Sequence, residues 1–548
     1  MTIDEAFAAA VEHHQAGRFR EAEALYRQIL ANAPNHADAS HLLGVLAFQS
    51  GHLQPAADLI ARAIALNSSV PDYPANLGLV LAAQGKTREA IAMYQRALSL
   101  DPDLPETHNN LGNAWKDVQE PGKAVAAYRR ALRLRCDYPE AHNNLGNILH
   151  ETGQIDEAIE CYQKAMASRP DYAEAHNNLG NALRSKWKLD EAIAAYERAL
   201  SLQPDYPDAW NNLGNALYAA ARFDEAQTAY ERALRLQPDF PLAHWNRALV
   251  LLLKGDYRQG WAEWEWRWRS SEFQPYRRSF PQPRWGGESL NGRRILLYAE
   301  QGFGDTLHFV RYAPLLAGQG GRVVLQCQPE LVRLLRRMPG IERVVSTDEL
   351  PPDFDVHCPL LSVPGLVNTM PETIPASVPY LSADEAQAEQ WRARIAAQAR
   401  ADTKLKVGLS WGGRPLPDPG RSVPLSALAP LAEVSGVWFI SLQKGDAAKE
   451  ADAPPAGMRL ANWTQDLLDF SDTAALIANL DLVITIDSAV AHLAGAMGKP
   501  VMLMLPFSAD WRWMLGRSDS PWYPTMRLFR QTRAGDWSTC INQIAQAL

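Results

Sequence analysis

The chain has 548 residues, 47% hydrophobic and 21% charged, with a formal net charge of −8 at pH 7 and a pI near 5.9. This composition fits a folded protein of about two to four domains, and its acidic balance argues against a general nucleic-acid binder. Five scattered cysteines (136, 161, 327, 358 and 540) form no CxxC pair, which argues against a disulfide framework or a structural zinc site and fits a reducing compartment. The N-terminal MTIDEAFAAA lacks a basic stretch followed by an apolar core. No apolar run approaches about 18 residues. Neither a secretory leader nor a membrane span is expected, and the expected location is cytoplasmic.

In chain order, the first feature is a repeat. AHNNLGN occurs at 141–147 and 175–181, with THNNLGN at 107–113 and AWNNLGN at 209–215. Gly44, Gly78, Gly112, Gly146, Gly180 and Gly214 stand 34 residues apart, and Ala10 and Ala248 extend the series. Twelve residues after each comes a second small residue: Ala22, Ala56, Ala90, Ala124, Ala158, Ala192, Ala226 and Gly260. Four further on is a large one: Tyr26, Ile60, Tyr94, Tyr128, Tyr162, Tyr196, Tyr230 and Trp264. A small residue where two helices cross lets their backbones approach, and a large one fills the gap beside it. Prolines at 34, 102, 170, 204 and 238 close most units. This pattern resembles the tetratricopeptide repeat. It implies an all-α solenoid of eight helix–turn–helix units over 1–274.

Asparagine is a mediocre helix former, so its recurrence needs a reason. Asn76, Asn110, Asn144, Asn178, Asn212 and Asn246 each lie two residues before the small position. They fall on the first helix of each unit, expected to line the concave face, and should form a row. An amide carries one acceptor and two donors, so a row of them can grip an extended polypeptide backbone without reading its side chains. The plainer alternative is that they bridge adjacent repeats. A similar asparagine ladder marks the superhelix of the eukaryotic O-GlcNAc transferases. That resemblance implies an acceptor polypeptide along the concave face.

The helical period stops at WAEWEWRWRSSEFQPYRRSFPQPRW (261–285), with its five tryptophans and three prolines. A capping helix and an irregular connector over 275–290 are expected. From 291, short β-rich runs alternate with helical stretches. RRILLYAE (293–300), GRVVLQC (321–327) and DFDVHCPL (353–360) read as strands, with a helix through TLHFVRYAPLLAGQG between the first two. After an Ala-rich charged helix near 384–401 come the strands LKVGLSW (405–411), VWFISLQ (437–443), LDLVITID (480–487) and KPVMLML (499–505). SAVAHLAGAMG is a helix before the last. Such alternation predicts parallel sheets. Two sets predict two Rossmann-like α/β halves, 291–402 and 403–548, with ligand bound outside the carboxyl ends of the strands.

Three strand-to-helix junctions carry candidate chemistry. YAEQGFGDTLHFVRY puts Gly304 and Asp305 at a helix start, where Asp305 also reads as a simple cap. SWGGRPLPDPGRSVPL and SLQKGD put Ser410, Arg414, Arg421, Gln443 and Lys444 after strand ends. Cations there suit a diphosphate, although a solvated basic loop reads the same way. ITIDSAVAHLAGAMGKP puts Asp487 and Ser488 at another helix start, whose N–H groups attract phosphate. His492 lies one turn on, on the same side, where a packed helix histidine is the bland alternative. Asp353-Phe-Asp355 has the form of a metal-binding DxD.

GFGD followed by FVRYAPLL, and DSAVAHLAGAMGKPV near the end, resemble the GT-B glycosyltransferases of family nine, related to the ADP-heptose lipopolysaccharide heptosyltransferases. The family pattern near the C-terminus runs Asp, Thr or Ser, Gly, two residues, His, Leu; this chain has Ala489 at the Gly position. The resemblance spans about 291–548. Repeats fused to such a domain resemble bacterial protein glycosyltransferases, including those that modify flagellin, and the tail PFSADWRWMLGRSDSPWYPTMRLFRQ (506–531) looks typical of that subgroup. The resemblance implies transfer of a sugar from a nucleotide-sugar donor to Ser or Thr of a protein, by inversion, with no metal and no cofactor. It implies Asp305 as general base, with His308 and His357 in reserve. For the donor it implies Gly304, Ser410, Arg414, Arg421, Gln443, Lys444, Asp487, Ser488 and His492. Asp353 and Asp355 are discounted, because they open an expected strand and such enzymes usually need no metal. Two other functions stay open: a glycan or lipid-linked acceptor with the repeats assembling a complex, and a non-catalytic scaffold.

Overall fold

A computed structural model of the chain describes residues 1–413 and 419–548. It divides into two compact units, Met1–Leu213 and Gly214–Leu548. Among the described residues, sixteen α-helices run from Ile3–Gln15 to Tyr257–Trp264. No helix among those residues is long and apolar enough to cross a membrane.

In the first unit the helices pair as the repeat predicts, for example Pro105–Asp117 with Pro121–Leu134, and Pro139–Glu151 with Ile155–Ser168. The glycine series is explained by contact. A Cβ on Gly112 would lie 2.5 Å from the Tyr128 ring, and one on Gly146 or Gly180 would lie 2.6 Å from Tyr162 or Tyr196. Each ring packs directly on bare backbone and is fully buried.

The three asparagines of NNLGN have separate tasks. The last accepts the tyrosine hydroxyl of the partner helix: Tyr128 to Asn113 at 2.7 Å, Tyr162 to Asn147 at 2.8 Å, Tyr196 to Asn181 at 2.7 Å. The first is buried (Asn109, Asn143, Asn177). The middle one donates to the first asparagine of the preceding repeat: Asn144 to Asn109 at 3.1 Å, Asn178 to Asn143 at 3.0 Å, Asn212 to Asn177 at 3.1 Å. Asn76 meets His41 Nε2 in the same way at 2.8 Å. Four members of the row, Asn76, Asn144, Asn178 and Asn212, therefore bond from repeat to repeat, whereas the position that Asn110 would meet is Ala75. Each bridging amide is half-exposed and has a second N–H, while the Asn178 oxygen also accepts from Asn177 at 3.3 Å.

The second unit begins with the last repeat helices, including Phe223–Leu236, Pro241–Leu253 and Tyr257–Trp264, and Asn246 lies on the middle one of these. Short 3-10 turns follow at Glu265–Arg269 and Ser271–Tyr276. Here Arg267, fully buried, donates to Glu300 at 3.0 Å and to Ser362 at 2.8 Å, while Glu300 accepts from the Leu361 N–H at 3.0 Å. This locks the tryptophan-rich segment to the carboxyl edge of the first sheet.

That sheet has the order β3-β2-β1-β4 and is parallel throughout, with β1 Arg294–Tyr298, β2 Arg322–Cys327, β3 Ile341–Ser346 and β4 Val356–Pro359. The second is also parallel, in the order β10-β9-β8-β5-β6-β7. Its strands are β5 Leu405–Ser410, β6 Val437–Ser441, β7 Leu460–Ala461, β8 Leu482–Ile486, β9 Val501–Leu505 and β10 Met526–Arg530. The expected strands are present, but β3, β7 and β10 are additional. In IERVVS the exposed Glu342 and Arg343 interrupt the apolar run. The expected helix after β1 is two short ones, Phe303–Phe309 and Tyr312–Gly318. The Asp353-Phe-Asp355 stretch precedes β4: the Asp355 carboxylate accepts the Arg294 N–H at 2.7 Å and the Asp353 carbonyl accepts from the Arg294 side chain at 3.0 Å. Both aspartates serve the amino edge of the sheet.

Candidate active site

Each sheet reverses its strand order once, between β1 and β4 in the first and between β5 and β8 in the second. Loops leaving the carboxyl ends at such a point diverge and open a crevice for a ligand. Asp305 follows β1, the Ser410–Gly413 turn follows β5, and Asp487 follows β8. The candidate residues therefore fall at the two places where topology makes room.

The helices Phe303–Phe309 and Ala489–Ala496, one from each sheet, meet at Gly304. A Cβ there would lie 2.9 Å from His492 Cδ2 and 3.6 Å from Ala489 Cα. Gly304 thus serves this helix contact. Asp305 caps its helix, accepting the Gly302 N–H at 3.1 Å through Oδ2. Its other oxygen accepts from Arg512 Nη2 at 2.5 Å. Arg512 also donates to Asp510 at 2.9 Å. Asp487 accepts from Trp513 Nε1 at 2.8 Å and faces His492 Nε2 at 3.9 Å.

The side chain of Arg512 is 8% exposed, whereas those of Asp305 and Asp487 are 21% and 19% exposed. The carboxylates thus reach solvent and the guanidinium lies behind them. Burial raises the Asp305 pKa above its ordinary value, against the pull of Arg512. Asp487 is pushed up to about 7, first by burial and then by Asp510, against the Trp513 hydrogen bond, Arg512 and Arg421. A carboxyl that titrates near neutrality suits proton transfer.

Beneath this surface lies a buried layer. His308 and His492 are both buried, and each turns Nδ1 to the Tyr523 hydroxyl, at 3.0 and 2.9 Å. Burial with Arg311 and Arg512 nearby holds both imidazoles well below their usual range, so they are neutral. His308 belongs to this layer and not to the open face. His357, the other reserve base, sits on β4 under Phe280 and Tyr298, with ring centroids 4.9 and 5.9 Å away. It packs as part of the sheet face, paired in register with Leu296 of β1.

On the donor side the positions divide. Gln443 is buried; its Oε1 accepts from Ser410 Oγ at 3.1 Å, Trp411 N at 2.9 Å and Gly412 N at 2.7 Å. Its Nε2 donates to Gly412 O at 2.9 Å and Lys444 O at 2.8 Å. Ser410 and Gln443 thus staple the β5 turn to β6, and the amide has no capacity over for a ribose. Lys444 Nζ donates to the carbonyls of Thr464 and Leu467, both at 2.8 Å, leaving one N–H of the ammonium. Arg421 lies against Gly413 and Ile486: a Cβ on Gly413 would be 2.9 Å from Arg421 Nε and 3.4 Å from Ile486 Cδ1. This brings its charge to Asp487. Ser488 stands at the N-cap position of the helix Ala489–Ala496 without a side-chain cap hydrogen bond, and its Oγ is 3.2 Å from Thr485 Oγ1. Arg414 lies outside the described residues.

Residue reading missed Asp510, Arg512, Trp513 and Tyr523. All four lie in the tail after the last expected strand, where no periodic pattern assigns a place. The one available signal was the density of charged and aromatic residues in DWRWMLGRSDSPWYP.

A tetratricopeptide repeat model matches residues 7–71, and a second TPR repeat model matches 78–117, 122–153, 146–186, 180–221 and 214–255. The model of glycosyltransferase family 9 (heptosyltransferase) matches 426–504, which takes in Gln443, Lys444, Asp487, Ser488 and His492. Protein FlbA of Caulobacter vibrioides is 29% identical over 326 residues, 55% of this chain and 54% of that protein. The chain thus spans about half the length of that curated relative. Among solved structures, MamA is 29% identical with a TM-score of 0.28, covering 30% of this chain and 95% of its own. YrrB, described as a TPR protein with an unusual peptide-binding site, is 24% identical with a TM-score of 0.30, covering 34% of this chain and 96% of its own. The chain therefore carries tetratricopeptide repeats followed, toward its C-terminus, by a glycosyltransferase family 9 domain.

Proposed function

We propose that the chain is a glycosyltransferase that moves a sugar from a nucleotide-sugar donor to a Ser or Thr hydroxyl of a protein, within a GT-B arrangement of its two sheets. The observation that carries this reading is the convergence of Asp305 and Asp487, from the switch points of two parallel sheets, around Arg512 in a region that overlaps the family 9 match. Asp305 is the general base: its carboxylate is paired but its side chain is partly exposed, and an acceptor hydroxyl needs one such group. Arg421, Lys444 and the start of the helix Ala489–Ala496 take the diphosphate, whose departing charge they offset. Transfer by inversion needs no further nucleophile, and the reading includes no metal. The repeats recruit the acceptor polypeptide, and the reaction is placed in the cytoplasm.

Titration of the chain with UDP-, ADP- and CMP-sugars, followed by mass spectrometry of candidate acceptors, tests the reading. One class of donor should raise the melting temperature, since a ligand bound only by the folded state stabilises it. The absence of any donor binding, with acceptor present, overturns the reading. A second reading, a glycan or lipid-linked acceptor, draws on the asparagine bonds between repeats, which give the ladder a structural task. Sugar appearing on lipopolysaccharide and not on protein, after deletion and restoration of the gene, selects it.

A further inference from the structure

The buried layer behind the carboxylates contains a hydrogen-bond problem with one solution. Tyr523 Oη has a single proton. Two histidine Nδ1 atoms face it, His308 from the helix Phe303–Phe309 at 3.0 Å and His492 from the helix Ala489–Ala496 at 2.9 Å. The phenol donates to one, so the other must itself carry its proton on Nδ1 and donate to the phenol oxygen. Both rings are neutral, held so by burial and by Arg311 and Arg512. The two histidines are therefore opposite tautomers.

The surroundings decide which is which. His492 Nε2 faces the Asp487 carboxylate at 3.9 Å. An N–H aimed at a carboxylate is favourable, and a bare lone pair there is not. His308 Nε2 is buried with no hydrogen-bond partner. A buried acceptor without a partner is tolerated more readily than a buried donor without one. His492 thus carries Nε2–H and accepts from Tyr523, while His308 carries Nδ1–H and donates to it.

Other groups hold the phenol. Tyr380 Oη lies 3.5 Å from Tyr523 Oη and donates to the Leu307 carbonyl at 2.9 Å. The Arg311 guanidinium stacks 4.4 Å from the Tyr523 ring centroid and donates to the His308 and Trp522 carbonyls and to Tyr380 Oη. Asp487 is held from its other side by Trp513, with Arg512, Arg421 and Asp510 the remaining charges that act on it.

We propose that Tyr523 is a positioning residue for the transfer reaction: its one hydroxyl proton fixes His308 and His492 in opposite tautomers, so that an N–H is held toward Asp487 at the open face. The proposal rests on the glycosyltransferase reading for its catalytic consequence, and its hydrogen-bond content stands apart from it. Without the phenol, His492 is free to move its proton to Nδ1 and withdraw it from Asp487. At 3.9 Å that N–H is a facing dipole and not a hydrogen bond; its loss makes Asp487, which shares the Arg512 charge with the base Asp305, harder to ionise.

The test uses the full chain labelled with nitrogen-15 histidine, with signals assigned through His308→Gln and His492→Gln, alongside Tyr523→Phe. In the wild type, NMR should show His492 as the Nε2–H form and His308 as the Nδ1–H form. In Tyr523→Phe the fixed opposition should disappear. Its kcat should fall roughly tenfold, the effect of one hydrogen bond, with the donor KM moving much less. The acidic limb of its pH–rate profile should shift upward. A purely structural tyrosine would leave that limb in place. The same tautomer at both histidines in the wild type overturns the proposal, as does a folded Tyr523→Phe with unchanged kcat and pH profile. The wild-type spectra decide the tautomers even where the variant fails to fold. If the wild type turns over no nucleotide-sugar, the transferase reading falls, and the spectra alone then judge the assignment.

Discussion

The repeat unit and the α/β unit are built on opposite plans. Along the repeats, every important contact falls at a short fixed spacing: tyrosine to asparagine at 15 residues, asparagine to asparagine at 35. In the α/β unit the contacts that make the site span 207 residues from Asp305 to Arg512 and 215 from His308 to Tyr523. The first plan spreads stability over many equal joints. The second gathers a few unlike groups at one crevice. Damage to the repeats should therefore register as lost stability, and damage at the crevice as lost rate.

The sharpest break on the repeat side is Tyr162→Ala. It empties the space against Gly146 and orphans Asn147, at a cost of about 3–5 kcal/mol, read by denaturant unfolding. A smaller loss would mean that the helices close over the gap. Next in size is Asp305→Asn at the crevice. Asn keeps an acceptor for the Gly302 N–H but loses the one that Arg512 uses, so the melting transition is checked first; in the folded variant transfer should fall about 100-fold while donor affinity barely changes. Near-normal turnover in a folded variant would reduce Asp305 to a helix cap.

Asn178→Ala tests the joint between repeats. It leaves the buried Asn143 oxygen without a donor and should cost on the order of 1–2 kcal/mol. The triple change at Asn144, Asn178 and Asn212 separates the two tasks of the ladder. If acceptor-protein affinity drops no further than the stability loss explains, the row is mortar and not a peptide clamp. The smallest effect concerns Asp487. Its pKa is about 7 in the folded chain against an ordinary 3.8, so folding favours its protonated form. A stability penalty therefore grows as pH rises through that window and is absent below it. Asp487→Asn should raise Tm by about 3 °C at pH 8 and leave it unchanged at pH 4. An equal shift at both pH values would refute the raised pKa.

The same contrast explains what residue order reveals. A repeat announces itself because each unit states its contacts again: Gly146 and Tyr162 are predicted by Gly112 and Tyr128. Periodicity gave the row of asparagines but not the direction of its bonds, because an amide fits a groove or a joint equally well. Parallel strands announced the loops bearing Asp305 and Asp487, since topology places ligands there. Nothing local joins Asp305 to Arg512, and no pattern in SLQKGD shows that Gln443 faces inward to hold the β5 turn. Short strands interrupted by charge, such as IERVVS, escape for a related reason: the apolar part of the run is too brief.

The bond from Asn178 to Asn143 and that from Asn144 to Asn109 share one spacing and one sense. Removal of residues 141–174 would bring Asn178 into the place of Asn144, with the same donor facing Asn109. The seam would carry AHNNLGN where AHNNLGN stood before. Misaligned recombination within the coding sequence can thus lengthen or shorten the array by whole units without creating a faulty joint. The number of units is then free to drift and to be selected, while the crevice, which has one copy of each part, is held fixed.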